Sequence, residues 1–292
     1  MKFVSYNIQY GTGRDGVVDL SRIIDETSGA DIIALQEVER FWPRSGNVDQ
    51  VKVFSEYFND YYWAYGAGVD LHVAESSPSD NLRRQFGNML LSKLPLEHVR
   101  NHLLPKHGSL DSLSIQRSAL EATVNIDDQL LRIYSIHLTH LSPHTRMPQI
   151  KRLLDIHQQA VHEGHPISGN VSGMDWESGV HNQYAARNAL LFGDFNLQPD
   201  SEEYRCIVGP ISSYGEHITS PDGFIDAWTH CGGEKMAGNT SDVHDVPARL
   251  DYCFASAAIR NQITACRVDD NAKGSDHLPL WIEFDARPRN QD

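Results

Sequence analysis

The sequence predicts an α/β layered domain. Strand-like apolar runs alternate with helix-spaced segments from the first residues onward, and a hairpin signature stands in the middle of the chain. No repeat, low-complexity tract or linker-like shift in composition divides the 292 residues, so one domain over 1–292 is expected.

The elements follow in order. Lys2 to Ile8 is strand-like. Leu20 to Ser28 carries Leu20, Ile23 and Ile24 on one side of a helix, with Asp19 as its cap. Asp31 to Leu35 is a second buried strand that runs into Gln36-Glu37, and Val48 to Phe58 is a helix. Tyr61–Tyr65 and Asn88–Ser92 are strands on either side of a long polar segment. Ala119–Ile126 and Leu130–Leu138 alternate around Asp127-Asp128, which marks a hairpin. Arg146 to His162 is an amphipathic helix. Ala189–Phe192, Leu250–Ala255 and Leu280–Phe284 complete the strands, with a helix over Ser201 to Val208. Three segments, Gly66 to Phe86, Asn101 to Gln116 and Glu163 to Tyr184, read as long loops.

Composition narrows the function. Lys and Arg number 25 against 39 Asp and Glu, a net charge of -14, which opposes a broad electrostatic footprint for polyanions. An acidic site loaded with metal can still act on a phosphate. Hydrophobic content of 40% fits a globular protein with a sizeable core. No secretory signal or spanning segment is evident. The cysteines, Cys206, Cys231, Cys253 and Cys266, form no C-x-x-C pair and read as free thiols of a reducing compartment, so a cytoplasmic location is expected.

Polar residues gather where the apolar runs end, and in α/β sheets chemistry collects beyond strand ends. They are Asn7, Glu37, His137, Asp194 with Asn196, Asp251, and Asp276 with His277. Singly, each has a plain structural reading: a turn-forming Asn, a salt-bridging Glu37, an Asx turn at Gly-Asp-Phe-Asn, an ion pair between Arg249 and Asp251. Together they form a set of hard oxygen donors with two histidines and no cysteine, which suits Mg²⁺ or Mn²⁺ better than zinc. Such a set points to metal-assisted hydrolysis of a phosphoester.

In this order the positions resemble the endonuclease/exonuclease/phosphatase superfamily, which includes pancreatic-type deoxyribonucleases, abasic-site endonucleases, neutral sphingomyelinases and inositol-polyphosphate phosphatases. The residues that carry the resemblance are Tyr6-Asn7, Gln36-Glu37, Gly87-Asn88 before Leu90-Leu91-Ser92, Gly193-Asp194-Phe195-Asn196 and Ser275-Asp276-His277-Leu278-Pro279. The resemblance implies a four-layered sandwich, two mixed β-sheets packed face to face and flanked by helices. It implies Asn7, Glu37 and Asp276 at the metal, Asp194 and Asn196 at the attacking water and a phosphate oxygen, and His277 paired with Asp251 as base or as electrostatic stabiliser of the phosphorane. His137 falls where members use His or Tyr near the phosphate, and Arg117 matches an arginine common in bacterial members that would bind substrate phosphate.

Other residues are given structural roles. Asp226 is expected to be structural, and Arg83 with Arg84 is read as a solvated pair ahead of a phosphate contact. His140 and His144 follow His137 at spacings that suit zinc on a helix, but His137 belongs to a strand and Pro143 is expected to break any helix there. With no strongly basic loop, the expected activity is a Mg²⁺-dependent phosphodiesterase acting on a small or lipid-derived phosphodiester by in-line attack of water. A nuclease acting on DNA or RNA is the first alternative, and a binding module that kept the fold and lost the chemistry is the second. The sequence leaves the oligomeric state open.

Overall fold

Phe3 and Val4 point to opposite faces of one strand, and both are buried, so that strand needs cover on two sides. A computed structural model, which describes residues 1–74, 76–167 and 186–287, shows how the cover is supplied. Strands β1 (Lys2–Asn7), β2 (Ile32–Arg40), β3 (Tyr62–His72), β4 (Arg83–Ser92), β13 (Ile263–Val268) and β14 (Leu280–Phe284) form one sheet in the order β13-β14-β1-β2-β4-β3. Strands β5 (His98–Leu103), β6 (Ser118–Ile126), β7 (Gln129–His137), β8 (Ala189–Asp194), β9 (Phe224–Asp226) and β12 (Asp251–Ser256) form the other, ordered β5-β6-β7-β8-β12-β9. A two-stranded ribbon, β10 (Ser241–Val243) and β11 (Val246–Ala248), stands apart from both.

Each sheet is mixed for the same reason. Its one parallel pair, β1 with β2 or β7 with β8, is joined through a helix, as a parallel connection requires. The crossover helices are α1 (Leu20–Thr27) and α3 (Pro143–Glu163). The other α-helices among the described residues are α2 (Gln50–Tyr57), α4 (Glu202–Val208) and the single turn α5 (Ala227–His230).

Three apolar clusters separate the layers. Between the sheets lie Phe3, Ile32, Ala34, Leu90, Leu190 and Phe192, with the rings of Phe3 and Phe192 edge to face at 6.2 Å. Val4, Ile33 and Leu35 face Ile23, Ile24 and Phe54 of α1 and α2. Tyr134, Ile136 and Leu191 face Leu153, Tyr204 and Ile207 of α3 and α4. The expected four-layered sandwich is therefore present.

Local signals hold in several places. Asp19 caps α1 by accepting from Ser21 N. Asp127 and Asp128 both take positive φ, 50° and 67°, in the two-residue turn between β6 and β7. Two of the long loops are corrected. Gly66 to Phe86 is mostly strand: β3 runs on to His72 and β4 begins at Arg83. The glycines there are close-approach positions and do not mark turns, since a Cβ on Gly87 would stand 2.1 Å from Gly66 O on the paired strand. Asn101 to Gln116 begins inside β5, an edge strand whose polar sequence HVRNHL hides it. The third segment is helix to Glu163, and its residues from 168 on lie outside the described residues.

Pro143 does not break a helix. It opens α3 at the first helical position, where its missing N–H is no loss, behind Ser142, which accepts from Thr145 N. The four cysteines are free. No described helix is long and apolar enough to cross a membrane.

Arg249 is buried to 2% and pairs with Asp226 at 2.7 Å, while Tyr204 donates to the same Asp226 oxygen at 2.9 Å. Arg249 thus serves Asp226 and not Asp251. Replacing Asp226 by Ala would strand a buried guanidinium, so Asp226→Ala should lower stability by about 3–5 kcal/mol in chemical denaturation. A loss below about 1 kcal/mol would show that the pair is dispensable.

Candidate active site

Side chains alternate along a strand, so the inward-facing residues form rows. Those rows turn from apolar to polar toward one edge: Phe3, Ser5, Asn7 on β1; Ile133, Ser135, His137 on β7; Leu190, Phe192, Asp194 on β8; Ala255, Cys253, Asp251 on β12. Chain direction makes the polar ends coincide. The carboxyl ends of the central parallel strands meet the amino ends of their antiparallel neighbours. Within the second sheet, His137 and Asp251 are both register partners of Asp194, so three site residues sit side by side on adjacent strands.

Glu37 joins this edge by a break in the alternation. The pairing of β2 with β4 steps from Leu35↔Met89 to Val38↔Gly87, three residues against two. Leu35 and Val38 both face the helices, which leaves Gln36 and Glu37 together on the inter-sheet side. Glu37 takes a positive φ of 61° to do so. Gln9, Tyr10 and Asn196 also have positive φ, at 43°, 47° and 51°, and backbone strain of this kind concentrates at functional sites.

The contacts centre on Asp194. Its Oδ2 accepts from Asn7 Nδ2 at 3.0 Å, across the gap between the sheets, and stands 3.2 Å from His137 Nε2 and 3.8 Å from His277 Nε2. Its Oδ1 accepts from Asn196 N at 2.9 Å. Burial pushes the Asp194 carboxyl up, but the two imidazoles and the Asn196 amide outweigh it and hold the group below the usual carboxylate range. His277 has the opposite balance. Burial pulls it down, yet Asp251, bonded to Nδ1 at 2.7 Å, and Asp194 raise it to about 10, so it is an imidazolium at neutral pH. His137 is lowered to about 4 by burial and by Arg117, whose Nη1 lies 2.9 Å from His137 Nδ1. It is a neutral imidazole.

Every expected site residue lies at this edge. Asn196 sends its Nδ2 to Leu138 O at 3.1 Å, and Asp276 accepts from Gln9 Nε2 at 2.8 Å. Arg117 reaches the site from the amino end of β6 and bonds imidazoles, not a carboxylate. His144 lies in the first turn of α3, away from His137, while His140 meets Arg117. The sequence reading passed over the supports. Gln9 holds Asp276, Thr240 Oγ1 accepts from Asp251 N at 3.0 Å, and Ser275 Oγ donates to Asn7 O at 2.7 Å. Gln9 left a signal as a second polar residue just past the end of β1, and Ser275 as part of the motif Ser275-Asp276-His277, while Thr240 left none.

The donor set fits a hard cation. Glu37 is mostly buried and no described residue donates a hydrogen bond to its carboxylate, which stands 3.8 Å from His137 Nδ1. Burial, with Asp194 and Asp276 adding to it, pushes the Glu37 carboxyl up against the pull of Arg117 and His277. An unsatisfied carboxylate in an acidic pocket is what a divalent ion relieves. Among the described residues no three His, Cys, Asp or Glu side chains converge to hold one ion. Magnesium needs only one or two carboxylates, its other positions going to water and substrate oxygens. Glu37 and Asp276 are two such carboxylates, and beside them the Asn7 amide oxygen accepts from Gln9 N at 3.2 Å.

Comparison with known proteins follows the same lines. The model of the Endonuclease/Exonuclease/phosphatase family matches residues 4–277. Among solved structures, an endonuclease/exonuclease/phosphatase from Beutenbergia cavernae DSM 12333 aligns at TM-score 0.63 and 20% identity, covering 97% of this chain and 70% of that one. A family protein from Leptotrichia buccalis C-1013-b aligns at 0.61 and 17%, covering 98% and 99%. Truncated TDP2 of Caenorhabditis elegans aligns at 0.60 and 16%, covering 98% and 97%. Among curated proteins nothing matches.

Gly193 sets the placement of Asp194, since its φ is 141° and a Cβ there would stand 1.9 Å from Ile136 O on β7. Gly193→Ala should therefore part β7 from β8, lowering Tm and stability by about 1–3 kcal/mol. An unchanged melting curve would show that the strands yield freely.

Proposed function

The chain belongs to the endonuclease/exonuclease/phosphatase family, whose members are phosphoric ester hydrolases, and we propose that it is a Mg²⁺-dependent phosphodiesterase acting on a small or lipid-derived phosphodiester. The whole chain acts as one domain. The observation that carries the reading is the anionic Asp194 set between a neutral and a charged imidazole, with Glu37, to which no described residue donates, beside them.

The roles follow from the state of each group. Asp194 takes a proton from the attacking water, and Asn196, whose Nδ2 is tied to Leu138 O, keeps its Oδ1 to orient that water. His277, charged and braced by Asp251, donates from Nε2 to a non-bridging phosphate oxygen and offsets the charge that grows there in the transition state. His137 supports Asp194 from the other side, and Arg117 adds positive potential behind it. Glu37, Asp276 and Asn7 would hold the metal, which when bound supplies Lewis-acid polarisation of the phosphate. Gln9 and Ser275 fix those ligands.

A small or lipid-derived substrate is favoured by the surface beside the site. The groove of about 850 Å³ next to Asp276 carries Arg14, Arg22 and Lys273 against Asp15, Asp25 and Glu26, so its charges cancel. At the other flank Arg83 is spent on Asp70. A polynucleotide track needs a cationic surplus.

Release of nitrophenol from bis-nitrophenyl phosphate with Mg²⁺ or Mn²⁺ tests the chemistry, and no turnover with either ion would refute it. A panel of glycerophosphodiesters, sphingomyelin, inositol phosphates, single-stranded DNA and RNA tests the substrate, and cleavage confined to nucleic acid would replace this reading with a nuclease. Asp194→Asn and His277→Ala should each lower kcat by roughly 10²–10⁴-fold with the fold intact by circular dichroism. Near-normal turnover would remove them from these roles. Glu37→Gln should move the Mg²⁺ titration to higher concentration, and an unshifted titration would show that Glu37 is not a ligand.

A further inference from the structure

Arg117 is 4% exposed, forms no ion pair among the described residues, and faces the Phe86 ring at 5.8 Å. A buried guanidinium without a carboxylate must place its donors elsewhere. They go to two histidines: Nη1 lies 2.9 Å from His137 Nδ1 and Nη2 lies 3.4 Å from His140 Nδ1. A guanidinium only donates, so each Nδ1 must accept with its lone pair.

We propose that Arg117 is a positioning residue that holds His137 and His140 as neutral imidazoles with the proton on Nε2. At His137 Nδ1 the Arg117 donor at 2.9 Å is nearer than the Glu37 carboxylate at 3.8 Å, and Nε2 stands 3.2 Å from Asp194 Oδ2, which only accepts. The other tautomer would set two N–H groups against each other at Nδ1 and two lone pairs at Nε2. Arg117 therefore turns His137 into a fixed donor to Asp194, acting through the ring and not on the substrate. His140 is exposed, and its Nε2 has no protein partner among the described residues. Its donor is left for an oxygen of the substrate. The tautomers stand whether or not the chain cleaves phosphoesters, whereas the effect on rate rests on that reading.

Long-range ¹H–¹⁵N spectra of the metal-free protein at about pH 7 read the tautomers directly, with the rings assigned from His137→Gln and His140→Gln. Both rings should show the Nε2–H pattern. Arg117→Ala should move His140 to the mixed pattern of a free imidazole, while Arg117→Lys, which keeps one donor, should preserve the pattern at His137. An Nδ1–H or imidazolium pattern at either ring in the unsubstituted protein overturns the proposal, and that spectrum reads out even if Arg117→Ala fails to fold. Unchanged spectra in a folded Arg117→Ala overturn it as well. In turnover of bis-nitrophenyl phosphate, Arg117→Ala should lower kcat roughly 10- to 100-fold with KM little changed, as loss of an outer support does. A rise in KM at constant kcat would make Arg117 a direct phosphate contact instead. Nε2–H spectra without turnover of any phosphoester would refute the hydrolase reading and uphold the tautomers.

Discussion

The hydrogen bond from Asn7 to Asp194 joins the ends of two strands that belong to different sheets, and the rest of the site depends on those ends staying together. Nothing in either backbone ladder fixes the distance between the sheets. It is set by side chains, with the Phe3 and Phe192 rings at the centre and the amide–carboxylate contact at the rim. Gln36 and Ser135 add a second polar tie, Gln36 Nε2 donating to Ser135 Oγ at 2.9 Å and Ser135 Oγ to Leu35 O at 2.9 Å. Apolar packing thus sets the spacing, and directional bonds stop the rims from sliding.

Charge at the rim is arranged in opposed pairs and not neutralised overall. Four carboxylates, Glu37, Asp194, Asp251 and Asp276, face one imidazolium and one guanidinium. Asp251 and His277 pair with one another, and Asp194 rests among donors, while Asp276 accepts from the Gln9 amide and the Ser275 hydroxyl and no described residue donates to Glu37. The excess negative charge has a definite location, next to the most electropositive hydrogen-bond donors of the pocket. That juxtaposition suits a cation and a phosphate arriving together better than either alone.

Much of this was legible in the sequence where local rules govern. Period-2 rows with polar ends mark β1, β7 and β8, the cap at Asp19 and the Asp127-Asp128 turn are local signatures, and each site residue stands at the end of an apolar run. Reading failed where a neighbour decides. The glycines of β3 and β4 mimic a loop because their role is to admit an adjacent backbone, and β5 has no apolar period because an edge strand buries little. Arg249 lies two residues from Asp251 yet turns to Asp226, since alternation sends neighbours at that spacing to the same face only when the strand continues through both, and β12 begins at Asp251. Pro143 and its helix differ from a helix breaker only by the capping serine in front. The sequence named Arg117 but could not tell which groups receive its donors, because that depends on two histidines brought to it by the β6–β7 pairing.

The extra residue in β2 makes chain length, as much as residue identity, part of the site. The two residues between Leu35 and Val38 act as a local reading frame: with both present, a glutamine and a glutamate look toward the opposite sheet and the strand resumes its helix-facing beat at Val38. Remove one and the ladder would close without a break, with Val38 still facing the helices but only one of the two polar side chains left toward the opposite sheet. A conservative exchange at this spot and a one-residue deletion would thus differ in kind, the first altering one side chain and the second erasing the bulge that gives it a place at the rim.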